Sequence, residues 1–238
     1  YWLFVFSKNF SKIRQLTKRE WLPLILLGIN SGLLINFIEI FALKYSPAIN
    51  FSFLNPTVIV FTIIAAFIFL KEKINLKKII LTVLILTGSY LLITKGQNLA
   101  LTLGDLFTII EAMLIALSAV LIKISVVKVG PDISNSISFL ISVLPMILIA
   151  FFMKAIYLPV NLFLIFISAI LYNILLNYFR FRALKIQSAT YVTMIFSFTP
   201  VLVAFMAVPI LGESLLPIQM LGGLLIIVAG VMVEKLKI

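Results

Sequence analysis

Eight long apolar runs constrain this chain more than any other feature: Leu22–Leu43, Pro47–Leu70, Lys77–Thr94, Gly104–Val127, Ile133–Met153, Leu158–Leu184, Ser188–Leu211 and Leu215–Val233. Each has about the length an α-helix needs to cross roughly 30 Å of hydrocarbon at about 1.5 Å per residue. Lipid offers no partner to backbone N–H and C=O groups, so runs of this kind must be helical. The alternation of apolar and polar residues that a membrane β-barrel needs is absent. The joints are too short for a soluble domain. Composition agrees, because 63% of the 238 residues are apolar and only 11% charged, where a soluble domain has about a quarter charged. Tyr1–Phe6 is apolar but too short to span, and it has neither a basic leader nor a small-residue cleavage site. It reads as the end of a further span whose beginning is missing, so the chain is expected to be truncated.

The formal net charge is +11. In a soluble chain that excess would suggest nucleic acid. Here the basic residues sort by loop. Lys8 to Arg19, Lys71 to Lys78, Lys123 and Lys128, Arg180 to Lys185, and Lys235 and Lys237 all fall on one side of an alternating eight-span topology. Only Lys44, Lys95 and Lys154 fall on the other. Basic loops stay in the cytoplasm, so the charge is a topology signal. It predicts a multi-pass protein of the plasma (inner) membrane with a cytoplasmic C-terminus and no nucleic-acid partner.

A shift of 141 residues lays Asn36, Ala42-Leu43-Lys44 and Glu72 on Asn177, Ala183-Leu184-Lys185 and Glu213. If the unit is five spans long, residues 1–98 form a first repeat lacking its first helix and most of its second. Residues 99–238 then form a complete second repeat. The expected fold is an all-α integral membrane protein, an inverted repeat of five-helix units. Eight complete spans and a remnant of a ninth are present, and ten are expected in the intact protein. An odd number of spans per unit turns the second copy upside down, which agrees with Lys44 and its counterpart Lys185 falling on opposite sides. Transporters use inverted repeats to obtain two related conformations around one site.

The residues that carry the repeat also carry a family resemblance. Ala42-Leu43-Lys44-Tyr45-Ser46-Pro47-Ala48, Pro56 and Lys71-Glu72-Lys73 in the first copy resemble the EamA-like repeat of the drug/metabolite transporter superfamily. So do Gly104-Asp105, Ala183-Leu184-Lys185-Ile186-Gln187-Ser188-Ala189, Pro200, Leu211-Gly212-Glu213 and Gly222 to Gly230 in the second. The first copy departs in one respect: Pro56 lies 14 residues after Ala42, whereas Pro200 lies 17 after Ala183. The resemblance implies that the first four spans of each unit surround a pathway. It implies that the fifth, Lys77–Thr94 or Leu215–Val233, is peripheral and open to lipid or to a second copy in a homodimer.

Polar groups inside the spans supply the candidate site. A charge at the centre of a membrane helix costs about 2.5–3.5 kcal/mol on insertion scales, so such groups face a cavity or another helix. Gly28, Gly32, Asn36 and Glu39 fall at helical spacing, as do Ala169, Asn173, Asn177 and Arg180. The glycines read first as a close-packing face. Asn36, Asn173 and Asn177 read as pathway lining, and Arg180 either contacts substrate or snorkels to the membrane edge. Glu111 lies roughly 10 Å into its span, with no Lys or Arg of that span within one turn. Desolvation penalises its charged form, which suits it to hold a cationic group or a coupling proton; the plain alternative is a carboxyl bonded to a neighbouring helix. The family more often has a small residue there, so this role is not implied by the resemblance. Pro56 and Pro200 are expected helix kinks, each freeing a backbone carbonyl. Asn55 stands beside the first. Thr193 and Ser197 precede the second, either lining the pathway or bonding back to their own helix. Glu72 and Glu213 read as surface caps for the helices that follow them.

The expected function is alternating-access transport of a small metabolite, amino-acid-like solute or drug, with export the expected direction. A carrier of anionic phosphate esters or nucleotide sugars is the alternative, with Arg180 or Arg182 holding the anion. A lipid-modifying enzyme would need clustered carboxylates for a metal, or His and Cys. The chain has no His and no Cys, so neither catalysis, nor a metal, nor an organic cofactor is expected. An inactive truncated membrane protein is the remaining alternative.

Overall fold

A computed structural model describes residues 1–98, 100–152, 167, 171, 175–211 and 215–236, and among these no strand occurs. Two short helices, α1 (Trp2–Lys8) and α2 (Phe10–Arg14), lead into α3 (Lys18–Ile29), a π-helical turn at Asn30–Ile35, and α4 (Asn36–Tyr45). Next come α5 (Ala48–Leu54), a 3-10 turn at Asn55–Thr57, α6 (Val58–Ala65) and a second π turn at Ala66–Leu70. Then follow α7 (Leu76–Thr94), α8 (Leu103–Lys128), α9 (Pro131–Phe152), α10 (Asn177–Ile186), α11 (Ala189–Phe196), α12 (Thr199–Leu211) and α13 (Pro217–Leu236). Among the described residues seven helical stretches are long and apolar enough to cross a membrane, and each overlaps one of the expected runs. The eighth expected run, Leu158–Leu184, lies largely outside the described residues.

Local chemistry sets the ends. The Glu20 carboxylate accepts from the Thr17 backbone N–H at 2.8 Å, closing the start of α3. Asn75 Oδ1 caps α7 by accepting from Lys78 N at 2.8 Å, and Ser188 Oγ caps α11 by accepting from Tyr191 N at 3.1 Å. Lys95 ends α7 in the left-handed conformation, with φ 57°.

The chain divides into two compact units, Tyr1–Phe37 with Ser118–Gln187, and Ile38–Leu117 with Ser188–Ile238. Each draws on both halves of the sequence. In the first, Ile13, Leu24 and Ile137 form a buried core with Trp21, Ile133 and Ile141 against it. Gly28 and Gly32 lie so close to Ile141 and Ser142 of α9 that a Cβ at either position would collide. The close-packing reading of this glycine pair is therefore the one the geometry supports.

In the second unit, Ile59, Ile63, Leu81, Ile85, Met194, Ala229 and Val233 form the core. Here α7 and α13 cross backbone to backbone. A Cβ on Gly88 would stand 2.7 Å from the Gly222 carbonyl oxygen, and one on Gly222 2.6 Å from that of Gly88. Gln219 Nε2 donates to the Leu92 carbonyl at 3.0 Å, and Gly96 meets Ile218. Moving forward along α7 is thus moving backward along α13, so the two helices are antiparallel. In lipid there is little hydrophobic drive between helices, and this glycine-to-glycine approach supplies the dispersion contact that replaces it. Large apolar side chains such as Val83, Leu221 and Leu224 point outward from the same helices.

Candidate functional site

The site is built where α4 meets the first half of α8, inside the second unit. Gly104 sits against the backbone of Tyr45 and Ser46, where a side chain would not fit. One residue on, Asp105 accepts from Ser46 Oγ at 2.5 Å, Asn50 Nδ2 at 2.9 Å and Thr102 N at 2.7 Å. Deeper, the Phe107 ring lies tilted, its centroid 5.6 Å from that of Phe41 and 6.5 Å from that of Tyr45. These pairs fix an antiparallel register, so falling numbers on α4 meet rising numbers on α8. Continued by one turn, that register sets Glu39 at the level of Glu111. Glu39 is half-buried. Glu111 is 3% exposed, and its Oε2 is buried with no hydrogen-bond partner among the described residues. An unpartnered buried carboxylate oxygen is costly enough that a native fold keeps one for a reason.

The other candidates are engaged closer to home. Asn36 Nδ2 donates to the Ser31 carbonyl, five residues back across the π turn. That wider turn departs from the even helical spacing that puts Gly28, Gly32, Asn36 and Glu39 on one face in the sequence. Thr193 and Ser197 bond back to the carbonyls of Ala189 and Thr193, each at 3.0 Å. Their donors are spent on the helix that carries them, the plainer of their two readings. Asn55 is half-buried in the 3-10 turn that also holds Pro56. Pro200 stands at the second position of α12, just past a break at Ser197 and Phe198. The Phe196 carbonyl, to which Pro200 has no N–H to donate, accepts from Thr199 Oγ1 at 2.7 Å. It is therefore not left open, contrary to the expectation for this kink. Asn177 begins α10 half-buried, and Arg180 is half-buried on the same helix. Asn173 and Glu213 lie outside the described residues.

Three arrangements escape sequence reasoning. Glu72 does not cap the helix after it, which Asn75 caps. Its carboxylate reaches the start of α11, accepting from Ala189 N at 2.8 Å and Thr190 Oγ1 at 2.9 Å, with Lys78 Nζ at 3.8 Å. Arg182 pairs with Asp132 at 3.1 Å and lies over the Tyr178 ring at 4.4 Å. In the first unit, Asn30 Nδ2 donates to Ser118 Oγ at 2.8 Å, and Ser31 and Ser142 share a 3.0 Å hydrogen bond. The 141-residue shift hints at the Glu72 contact only in that it pairs Ala48 with Ala189 and Glu72 with Glu213. Among the described residues no group of three or more His, Cys, Asp or Glu is placed to hold a metal ion.

Long apolar helices, exposed apolar side chains such as Phe67, Phe69, Leu202 and Phe205, and buried carboxyl and amide groups define a multi-span membrane protein. A model of the EamA-like transporter family matches residues 2–94 and again residues 102–234. The chain belongs to the EamA-like transporter family, with two copies of its repeat covering nearly the whole sequence. No curated protein matches it.

Proposed function

We propose that this protein carries a small solute, a metabolite, amino-acid-like compound or drug, across the plasma membrane by alternating access and in the direction of export. The observation that carries the reading is the antiparallel crossing of α7 and α13 at Gly88 and Gly222. These are the fifth helices of the two family repeats, and opposed fifth helices are what an inverted repeat requires. The fourth helices add to it, since Glu72, just past the end of one, bonds the start of the other. Two copies of opposite orientation can exchange conformations, opening the pathway first to one side and then to the other. The skew of basic residues toward one set of loops supports a cytoplasmic C-terminus.

Glu111 and Glu39 are the residues assigned to the pathway in the second unit, with Asn55 as further lining; Thr193 and Ser197, whose donors are spent on their own helix, are left out of it. Asn36, Asn173, Asn177 and Arg180 are the candidates in the first. A homodimer through the fifth helices would use their outward faces, because their glycine faces are occupied by one another. The anionic-solute alternative is weakened at Arg182, whose guanidinium already has Asp132 as its partner.

The test is accumulation of a panel of amines, amino acids, sugars and phosphate esters in liposomes holding the purified chain. Saturable accumulation of at least one class above that in empty liposomes is expected. Equal accumulation for every class would contradict the reading.

A further inference from the structure

The geometry points to a site for one organic ammonium group, held between Glu39 and Glu111 with the apolar part of the solute against Phe107 and its aromatic neighbours. The inference rests on the transport reading for its purpose, but its geometry stands apart from it. Among the described residues Glu111 Oε2 is buried without a hydrogen-bond partner, on a residue that is 3% exposed. The antiparallel register that joins Ser46 to Asp105 and Phe41 to Phe107 brings Glu39 to face it. Glu39 adds a second carboxyl group and no counter-charge. Two acceptor groups facing each other at membrane depth are matched by a group that brings donors and one positive charge.

The surroundings narrow the class. Ca²⁺ or Mg²⁺ wants six or more oxygen ligands and Zn²⁺ three or four protein ligands, and among the described residues no third acidic, His or Cys side chain joins the pair. An anion would find no positive charge on either carboxyl group. An ammonium has three N–H donors and needs few acceptors. Phe107 lies one turn from Glu111 on the same face of α8, and its ring rests against Phe41 and Tyr45. Aromatic faces attract cations and cover apolar carbon at once. The fit is to a primary amine carrying an apolar or aromatic body.

Equilibrium binding of radiolabelled phenethylamine to the purified full chain tests this, with phenylacetate and phenethyl alcohol as competitors of the same shape. Saturable binding is expected, displaced by unlabelled phenethylamine and not by the anion or the alcohol. Glu111→Gln and Glu39→Gln, each checked for an unchanged unfolding temperature, are expected to weaken it tenfold or more. Absence of saturable binding, displacement by phenylacetate as effective as by the amine, or undiminished binding in folded variants would each overturn the assignment. The competitor arm needs no variant, so a variant that fails to fold does not blunt the test. Amine binding without transport of any solute would refute the transport reading and leave the site. Transport of other solutes without amine binding would do the reverse.

Discussion

Asp105 and Glu111 lie six residues apart on α8 and are buried alike, at 2% and 3% exposure. Asp105 accepts from two side chains and a backbone N–H, tying the end of α4, the start of α5 and the entry to α8 into one knot. Glu111 has an oxygen with nothing to accept from among the described residues. Burial alone therefore does not tell a structural acid from a working one. What separates them is whether the fold itself provides the donors. Where it does, the acid is architecture; where it does not, the missing donor has to come from something that binds.

The contrast can be broken from either end. Replacing Asp105 strands Ser46 Oγ, Asn50 Nδ2 and Thr102 N, although Asn50 keeps its bond to the Ala100 carbonyl at 2.9 Å. Stranded buried donors cost about 1–3 kcal/mol each at most. Asp105→Ala is therefore expected to lower stability in detergent by about 3 kcal/mol, read from chemical unfolding, with transport falling only as the folded fraction falls. Glu72 is a milder case of the same kind. Ser188 still caps α11 when Glu72 is removed, so Glu72→Ala is expected to cost about 1–2 kcal/mol. Glu72→Gln should recover part of that, because an amide oxygen still accepts from Ala189 N.

Which segments span the membrane is legible in the sequence, because about 20 apolar residues between charges admit few other readings. The repeat is legible too, from Ala42, Glu72, Ala183 and Glu213 recurring in step. Partners are not. Glu72 looks like a cap in sequence and is one, but for a helix that begins at Ala189, and only tertiary packing chooses between that start and the nearer one. Gly88 and Gly222 are visible as shared features of the fifth spans, yet nothing in either span says that they meet. The Gly104-Asp105 pair is visible only as a family marker. The depth of Glu111 can be counted along its helix. Its pairing with Glu39 depends on the register set by Ser46 and Asp105. The π turn at Asn30–Ile35 has no apolar period of its own, so a straight helical wheel carries the face of Gly28 past it.

The most direct measurement takes Glu111→Gln through two readings on the same preparation, unfolding in detergent and solute transport in liposomes across a range of pH. An amide in place of the carboxyl keeps an acceptor there and takes away no hydrogen bond that Oε2 makes among the described residues. A stability change below about 1 kcal/mol together with loss of the pH-dependent component of transport is the predicted result. Destabilisation on the scale of Asp105→Ala, with the pH dependence of transport intact, would contradict it and make Glu111 one more structural acid.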